Sequence, residues 1–451
     1  MVTLDAEYVD DGALRGQDRV PLEDFLAFRD RAQLTGRGQP FFSGRESEVN
    51  AFREVANALL RGHRGNATLI VEGPPGAGKS ALLAQFQEEM RAFPSTAGGS
   101  RRWLPVTLDG ALAMSPLEIM AAVDEAIARR LAQDLVGRDG DGAEHSVRQL
   151  AALLGRKALD NAQSVAQGIL DRGVSAMGLS IGPRGEAPPS TLPQAVRLRG
   201  RDWADWQIVL LIDEAQGISC SVPGASPGTL SSIHQGMVSA PLSFCAFGLP
   251  GTSSALSDVG ISRPSGGRHL PLHGLDGSAA RMAVRRCFGQ YGVVHGEDWE
   301  SAILDRSANW PQHLATYLHA ALSVLKKGAT AREAMGDVRR SPLAEALALG
   351  DVGRNHYYER QIRRLNRHNA RHARYAKALV PLFRENDGAL PLDLAIEGLE
   401  GGPLHLSEEA VNRFLTDAAH SGFLAHERDG RLCLPIPSFA NHLLGERAPP
   451  P

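Results

Sequence analysis

The sequence predicts an α/β protein: a parallel β-sheet flanked by helices, then a helical region, then a small C-terminal domain of helices with one hairpin. Three observations predict it. Two continuous apolar runs, at 67–73 (ATLIVEG) and 207–215 (QIVLLIDEA), are typical of buried parallel strands. Segments with apolar residues at helical spacing lie between and after these runs. Past Arg268 strand signals stop, until two short strands around Asp429-Gly430.

The first elements of the predicted core follow one another in a regular order. From Phe41 a turn leads into a helix whose apolar residues recur at helical spacing: Val49, Phe52, Val55, Ala56, Leu59 and Leu60. The strand at 67–73 comes next, followed by a Gly/Pro loop and a helix from Ser80. The segment 103–110 (WLPVTLDG) is a second strand candidate, and a second long helix follows with Ser115 as its N-cap.

The middle of the chain interrupts this alternation. Residues 137–205 do not fit a compact αβ repeat, and we interpret them as an insertion that contains a helix at 156–173 and a mobile linker at 181–193. A further strand is predicted at 243–248 (SFCAFG), and successive helices follow it. The last block, about 370–445, is predicted to form three helices and then two short strands, which is the element order of a winged helix.

These shifts divide the chain of 451 residues into four predicted parts. A polar lead-in occupies 1–40, and the α/β core with its insertion occupies 41–270. A helical lid follows at 271–350. A basic helix and the winged helix complete the chain at 351–447.

Composition excludes several classes of protein. Hydrophobic residues make up 43% of the chain and charged residues 22%, as in ordinary globular proteins and unlike disordered ones. The net charge of −3 predicts neither a nucleic acid nor a membrane partner. The acidic N-terminal segment is unlike a signal peptide, and no apolar run approaches the ~20 residues that cross a bilayer. Widely spaced cysteines indicate neither zinc nor disulfides, so a cytoplasmic protein is expected; they are Cys220, Cys245, Cys287 and Cys433.

The most specific motif is a phosphate-binding loop, which fits G-x-x-x-x-G-K-[ST] fully between a strand and a helix. Glycines let backbone N–H groups converge on phosphate oxygens, and the helix presents its positive N-terminus. Lys79 is predicted to bridge the β- and γ-phosphates of ATP, and Ser80 to bind Mg²⁺. The predicted nucleotide-binding residues are Gly73, Pro74, Pro75, Gly76, Ala77, Gly78, Lys79, Ser80 and Ala81.

A second acidic motif ends the strand at 207–215. At the carboxyl end of such a strand, Asp213 is predicted to hold Mg²⁺ beside the nucleotide, usually through water. The adjacent Glu214 is predicted to act as the general base that polarises the attacking water. The predicted insertion accounts for the long separation of Asp213 from Lys79.

With both motifs in place, the sequence resembles AAA+ ATPases of the origin-recognition and transposition-helper type, which shade into STAND regulatory ATPases. The resemblance spans roughly 41–445. Phe42-Ser43-Gly44-Arg45-Glu46 looks like the family's F-x-G-R-E box, whose neighbourhood helps to shape the adenine site. Ile261-Ser262-Arg263 resembles the element that carries a catalytic arginine finger, and Trp310-Pro311-Gln312-His313 stands where the family has its lid motif.

The resemblance implies ATP hydrolysis with Mg²⁺ and a homo-oligomer, since an arginine finger at Arg263 reaches a neighbour's γ-phosphate. Arg268 is a competing candidate for the finger. The sequence departs from the family at the lid arginine, where Gln312 or His313 stands instead. The polar residue expected after the strand at 243–248 is not obvious, with Thr252 a distant candidate.

A basic stretch at 354–377 holds eight Arg or Lys residues against one Glu. If the stretch is one helix, most of its arginines share a face and form a stripe for non-specific contact with DNA: Arg360, Arg363, Arg364, Arg367, Arg371 and Arg374. The predicted recognition helix carries Glu408, Glu409 and Asp417 against Arg413, which is unsuited to a DNA groove. A protein-facing or solvated stretch is the alternative.

Three functions therefore stay open at the level of sequence. The first is a regulatory ATPase that hydrolyses ATP and couples its lid and winged helix to an unidentified protein partner. The second is an ATP-dependent DNA-binding helper in transposition, replication or anti-phage defence. The third is a nucleotide-binding scaffold that does not hydrolyse.

Overall fold

A computed structural model describes most of the chain outside its N-terminus and its middle. The described residues are 43–60, 68–93, 101–110, 116–137, 166–167, 169–170, 194, 199, 203–218, 242–258, 268–290, 297–332, 342–367, 369–426, 430–436 and 438–445. Several predicted features lie outside them: the lead-in at 1–40, Ser115, nearly all of the insertion at 137–205, and Arg263.

The N-terminal half forms a five-stranded parallel sheet with helices on both faces. Its elements are α1 (Glu46–Leu60), β1 (Thr68–Glu72), α2 (Lys79–Ala92), β2 (Arg102–Asp109), α3 (Pro116–Gly137), β3 (Trp206–Asp213), β4 (Leu242–Gly248), α4 (Thr252–Asp258) and β5 (Arg268–Pro271). The strand order is β2-β3-β4-β1-β5. Because β3, β4 and β1 are neighbours, the segments that follow them emerge side by side at one edge of the sheet.

The central strands are apolar because both of their faces are covered. Every residue of β1 and β4 is buried, and in β3 only the last residue, Asp213, is partly exposed. Alternate residues face opposite layers. Val71 packs toward α1 and α2, whereas Ile70 packs toward α3.

β5 corrects the sequence analysis, in which strand signals stop past Arg268. This strand pairs with β1 along its length, from Leu69↔Arg268 to Glu72↔Pro271. It is four residues long, lies at the sheet edge and begins with two exposed residues, so it lacks the apolar run of a central strand. Arg268 forms an ion pair with Glu54 of α1 and is therefore engaged within the chain.

Four helices follow the sheet and form a separate hydrophobic cluster. They are α5 (Gly277–Gln290), α6 (Glu297–Ser307), α7 (Pro311–Arg332) and α8 (Pro342–Leu365). Phe288 of α5, Ile303 of α6, Tyr317 of α7 and Leu347 of α8 belong to this cluster. The C-terminal half of α8 leaves it and joins the core beside the sheet through Tyr357, Tyr358 and Leu365.

The C-terminal unit, residues 372–445, comprises α9 (His372–Glu385), β6 (Ala389–Leu390), α10 (Leu392–Glu400), α11 (Glu408–His420), β7 (Ala425–His426), β8 (Leu432–Cys433) and α12 (Ser438–Leu444). Three short strands form an antiparallel sheet in the order β6-β8-β7. The order agrees with the predicted three helices and hairpin, and adds β6 and α12. The cluster that fills this unit is continuous with one face of the large sheet.

The basic stretch at 354–377 is not one helix, which corrects the prediction of a single helical stripe. α8 ends at Leu365, a turn follows, and α9 begins at His372. Arg354 is buried and pairs with Asp351, and Arg364 is partly buried. The other basic residues of the stretch are exposed: Arg360, Arg363, Arg367, Arg371, Arg374 and Lys377. No helix among the described residues has the length and apolarity to span a membrane.

A buried charge fixes the segment that leads into β3. Asp124 of α3 is fully buried, accepts a 2.8 Å hydrogen bond from Trp203 Nε1 and lies 2.9 Å from the guanidinium of Arg199. Trp206, the first residue of β3, donates its backbone N–H to the Trp203 carbonyl at 3.0 Å. The carboxylate therefore ties the start of β3 to α3.

We expect Asp124→Ala to destabilise the protein by about 3–5 kcal/mol, because it leaves Arg199 buried without its counter-charge. The adjacent Glu125 pairs with Arg129 in an exposed i,i+4 ion pair at 2.9 Å, so Glu125→Ala should cost less than ~1 kcal/mol. Urea unfolding followed by tryptophan fluorescence measures both. Equal midpoints for the two variants would contradict the assignment.

Candidate functional site

The predicted phosphate loop lies between β1 and α2, at the edge where β3 and β4 also end. Gly76 and Gly78 have positive φ angles of 79° and 94°, which glycine adopts without steric cost. Gly78 is the N-cap of α2 and accepts from Leu82 N at 3.0 Å. The first amides of α2 have no acceptor within the helix, as at any helix start. The loop therefore has the backbone form of an anion site.

Five successive carbonyl groups of this loop accept hydrogen bonds, two from the loop's own lysine and three from other parts of the protein. Lys79 Nζ donates to the oxygens of Gly73 (2.6 Å) and Pro74 (3.1 Å). The Tyr357 hydroxyl donates to Pro75 O at 2.7 Å, and the Gln312 backbone N–H donates to Gly76 O at 3.2 Å. A guanidinium nitrogen of Arg45 donates to Ala77 O at 2.9 Å. Contacts from Arg45, just before α1, and from α7 and α8 thus hold the loop.

Arg45 of the F-x-G-R-E box supports the phosphate loop from the interior of the protein. Its side chain is buried and bonds to Glu48 (3.2 Å), to Ala77 O and to His273 O (2.6 Å). The residue therefore joins the loop to the chain that leaves β5. Ser43 of the same box donates to Ala279 O of α5 at 2.7 Å. These contacts are internal supports of the loop and the lid, and Phe42 lies outside the described residues.

The loop is also in close contact with the lid and the C-terminal unit. A Cβ at Gly76 would lie 2.7 Å from Gln312 Cβ, 2.9 Å from Trp310 Nε1 and 3.1 Å from the Tyr357 hydroxyl. A Cβ at Gly422, in the turn after α11, would lie 2.8 Å from Pro75 Cδ. Glycine at both positions allows this approach.

The structure brings the two predicted motifs together. Ser80 Oγ lies 3.3 Å from Asp213 Oδ2, although 133 positions separate the two residues. Burial raises the pKa of Asp213, and the neighbouring Glu214 charge adds to the rise, while the Glu214 amide and Lys79 oppose it. Glu214 itself has a φ of 49°, a left-handed conformation that is uncommon for residues other than glycine. Such strain is concentrated at functional sites.

Gln216 contacts Glu214, and sequence reasoning missed it. Its side-chain amide donates to the Glu214 carboxylate and accepts from Leu249 N at 3.0 Å. Gln216 lies in the 3₁₀ turn Ala215–Ile218. It therefore connects Glu214 to the turn that follows β4. A Cβ at Gly248 would lie 2.7 Å from the side-chain oxygen Oε1 of Gln216, so the glycine leaves space for the Gln216 amide.

Lys79 is buried among charges of both signs. The pKa of its amine is lowered to about 8, mainly by burial and to a smaller extent by the positive charge of Arg364, against the opposing effects of Glu214 and Asp213. The sequence analysis placed Arg364 in the basic stripe. The structure shows that Arg364 is partly buried and that its charge acts on the loop lysine.

Three other residues with predicted roles lie away from the loop amides or face the interior. Thr252, the first residue of α4, is fully buried, and its hydroxyl donates to Leu249 O at 2.6 Å. Gln312 touches Gly76 through its backbone N–H and its Cβ. His313 is fully buried between the rings of Tyr357 and Tyr358, with centroids 5.2 and 5.1 Å away. The start of α7 therefore presents no cation to the loop.

A magnesium nucleotide fits the residues present. Mg²⁺ prefers few protein ligands, usually one or two oxygens together with phosphates and water, and Ser80 and Asp213 are such a pair. Elsewhere in the described part of the chain, no cluster of three or more His, Cys, Asp or Glu side chains could hold a metal ion.

Similarity to known proteins is detectable in structure and not in sequence. No protein-family model matches the chain, and no curated protein matches it significantly. A solved Walker-type ATPase of Pyrococcus abyssi covers 89% of this chain and 96% of its own, with a TM-score of 0.54 and 13% identity. The fold is that of a Walker-type P-loop ATPase. The predicted fold class, a P-loop sheet flanked by helices, is thereby confirmed.

Two further solved structures are similar to this P-loop chain at lower TM-scores. The ORC2 protein of Aeropyrum pernix, solved in ADPNP and ADP complexes, covers 89% of this chain and 94% of its own, at 11% identity and a TM-score of 0.49. The RuvB Holliday junction branch migration motor of Thermotoga maritima covers 90% and 97%, at 17% identity and a TM-score of 0.38.

We expect His313 to make stability depend on pH. Burial, and secondarily Arg354, lowers the pKa of His313 from 6.5 to about 3. Below pH 6.5 the unfolded chain binds a proton that the folded protein does not, so stability falls as pH falls, by about 2 kcal/mol at pH 5. His313→Phe should remove this loss, because phenylalanine does not titrate. The substitution breaks no hydrogen bond, since neither ring nitrogen of His313 has a partner among the described residues.

Urea unfolding of wild type and His313→Phe at pH 7.5 and pH 5 measures the effect. From pH 7.5 to pH 5, the free energy of unfolding should fall by about 2 kcal/mol more in the wild type than in the variant. A constant difference would show that His313 titrates near its ordinary pKa in the folded protein.

Proposed function

We propose that this protein is a regulatory ATPase that binds ATP with Mg²⁺ at the loop 73–80 and hydrolyses it. The observation that carries the proposal is the 3.3 Å approach of Ser80 to Asp213, which joins the phosphate loop to the acidic strand end. A glycine loop alone binds phosphate. A hydroxyl and a carboxylate at its edge, with Glu214 beside them, add the groups that hydrolysis requires.

Each side chain has a distinct role in this proposal. Lys79 and the amides of the loop bind the β- and γ-phosphates. Ser80 and Asp213 hold Mg²⁺, which when bound neutralises charge on the phosphate oxygens. Glu214 accepts a proton from the attacking water, and Gln216 holds the Glu214 carboxylate in place through its amide.

Contacts between the loop and the C-terminal half support a regulatory role. Tyr357 of α8 and Gln312 of α7 bind loop carbonyls, and Gly422 lets the C-terminal unit, which we interpret as a winged helix, reach Pro75. A displacement of the loop would therefore displace the lid and the C-terminal unit, which contact it. Transfer of that change to a protein partner, and self-association through an arginine finger at Arg263, remain predictions.

We expect Lys79→Ala to weaken ATP binding by at least tenfold, because it removes the cation that faces the phosphates. Glu214→Gln should bind ATP as the wild type does and lose hydrolysis by at least a hundredfold, because an amide cannot accept the proton. Calorimetric titration with ATP–Mg²⁺ and single-turnover phosphate release measure the two properties.

Arg53→Ala is the control, since this exposed α1 residue pairs with Glu89 at 2.8 Å and should leave both properties unchanged. Wild-type affinity in Lys79→Ala would reject the loop as the ATP site. A wild type that binds ATP and releases no phosphate would favour the non-hydrolysing scaffold.

A DNA-binding helper is the second candidate, favoured by one observation. Arg360, Arg363 and Arg367 are exposed around the end of α8, and Arg371 and Arg374 are exposed at the start of α9. Within the described residues none of them is in an ion pair with an acid, whereas Arg413 on the acidic α11 pairs with Glu409 at 2.9 Å. Unpaired surface arginines suit a phosphate backbone, without base readout.

We expect a random duplex to bind weakly, in the ~10⁻⁴–10⁻⁶ M class, with an affinity that falls steeply with salt. Reversal of Arg363, Arg367 and Arg374 to Glu should abolish binding at ~50 mM salt and flatten the salt slope. The matched control reverses Arg53, Arg91 and Arg129, which lie on α1, α2 and α3. Fluorescence anisotropy at two salt concentrations decides, and equal loss in both triple variants would exclude a local DNA surface.

A further inference from the structure

One peptide unit at the end of β4 connects the phosphate loop to the acidic side of the site. Gly73, the first residue of the loop, donates its backbone N–H to Gly248 O at 3.0 Å. The N–H of the same peptide unit, that of Leu249, donates to Gln216 Oε1, also at 3.0 Å. Because a peptide is planar and its C=O and N–H groups point in opposite directions, any rotation of this unit moves both hydrogen bonds together.

The side chain of Gln216 continues this connection to Glu214. The Leu249 amide can only donate, so it fixes the oxygen of the Gln216 side chain, and the NH₂ group donates to the Glu214 carboxylate. The hydrogen bonds therefore run in one direction, from the Gly73 N–H through the peptide unit and Gln216 to Glu214. Hydrogen bonds in such a chain polarise and strengthen one another.

The Glu214 carboxylate has little other support. Its backbone has a φ of 49°, a conformation that is uncommon for a residue with a side chain. Asp213 Oδ1 accepts from the Glu214 backbone N–H at 3.0 Å, which holds the main chain and not the carboxylate. Among the described residues, only Gln216 donates a hydrogen bond to this carboxylate.

The end of β4 offers no polar side chain for this task. Residues 248–251 are Gly-Leu-Pro-Gly, so the polar groups directly after the strand belong to the backbone. Thr252 follows, and its hydroxyl donates to Leu249 O at 2.6 Å, which holds the turn itself. A polar contact from this strand end to the acidic residues therefore comes from the backbone N–H of Leu249.

We infer that Gln216 is a positioning residue that couples the Glu214 carboxylate to the phosphate loop through the Gly248–Leu249 peptide. The inference rests on the proposed function and deepens it, because it links the general base to the loop that binds the phosphates. When the loop holds phosphate, the peptide unit and Gln216 keep Glu214 where it accepts the proton of the attacking water. A backbone N–H together with Gln216 thus replaces the polar side chain expected after this strand.

The test uses two variants of Gln216 whose side chains have the same length. Gln216→Met removes both hydrogen bonds, whereas Gln216→Glu keeps an oxygen for the Leu249 N–H and removes the donor to Glu214. Calorimetric titration with ATP–Mg²⁺ should give affinities within twofold of the wild type, because neither variant alters a residue that contacts phosphate. Single-turnover phosphate release should fall by at least tenfold in both, since the base is no longer held in place.

Gln85→Met is the matched control. Gln85 also donates its amide to a glutamate, Glu89, at 3.1 Å, and it lies about 9 Å along α2 from Lys79. Its replacement should leave phosphate release within twofold of the wild type. A double variant separates positioning from general support of the fold. In Glu214→Gln the base is already absent, so the addition of Gln216→Met should lower the residual rate by less than twofold.

Hydrogen exchange followed by mass spectrometry tests the link to the loop. A non-hydrolysable ATP analogue with Mg²⁺ should slow exchange in the segment 246–251 of the wild type, because an ordered loop holds the peptide unit. In Gln216→Met the Leu249 N–H loses its acceptor, so the analogue should slow exchange there by less than half as much.

Each outcome bears on the inference. Wild-type phosphate release in both Gln216 variants would overturn it, and the ATP site would stand. It would also be overturned by a further loss of more than twofold in the double variant, or by an analogue that binds without slowing exchange around Leu249. If Gln216→Met unfolds at a lower temperature than the wild type, Gln216→Glu decides, because it keeps the bond from Leu249. A wild type that binds no ATP, or that binds ATP and releases no phosphate, would overturn the proposed function together with the inference.

Discussion

The site depends on the hydrogen bonds that hold the backbone carbonyls of the phosphate loop. Arg45, Lys79 of α2, Gln312 of α7 and Tyr357 of α8 together donate to all five oxygens from Gly73 to Ala77. A carbonyl that points at a phosphate repels it, so engagement of these oxygens elsewhere leaves the backbone amides to face the ligand. The polarity of the loop is therefore set in part by residues far from it in sequence. Arg45 precedes Ala77 by 32 positions, and Tyr357 follows Pro75 by 282.

This arrangement makes the loop a junction between the sheet and the C-terminal half. One hydrophobic cluster runs from Val71 and Leu211 of the sheet through Tyr358 of α8 to Phe414 and Phe439 of the C-terminal unit. Closely packed contacts of this kind transmit small displacements, because the interior has few voids to absorb them. The strained backbone of Glu214 and its link through Gln216 to the end of β4 extend these contacts to the acidic side of the site.

Features set by local sequence could be predicted, and features set by tertiary contact could not. The runs around Ile70 and Leu210 reveal buried central strands by composition alone, and the loop motif with its flanking elements indicates where Lys79 lies. β5 was missed because an edge strand of four residues needs no apolar run. Gln216 carries no motif, and Arg364 was assigned to a surface stripe because helical spacing cannot show which face of α8 the core covers. Arg45 was predicted near the adenine site through resemblance, whereas its burial against Ala77 depends on how α1 packs.

Gly76 occupies a position that the loop motif leaves unrestricted, yet in this chain it is bounded by Gln312, Trp310 and Tyr357. Two constraints therefore fix glycine here, and neither comes from the phosphate chemistry of the motif. The φ of 79° disfavours any side chain, and the lid leaves no room for one. Removal of the lid contacts would lift only the second constraint. The sequence of the loop at this position is thus coupled both to its own backbone turn and to the packing of α7 and α8.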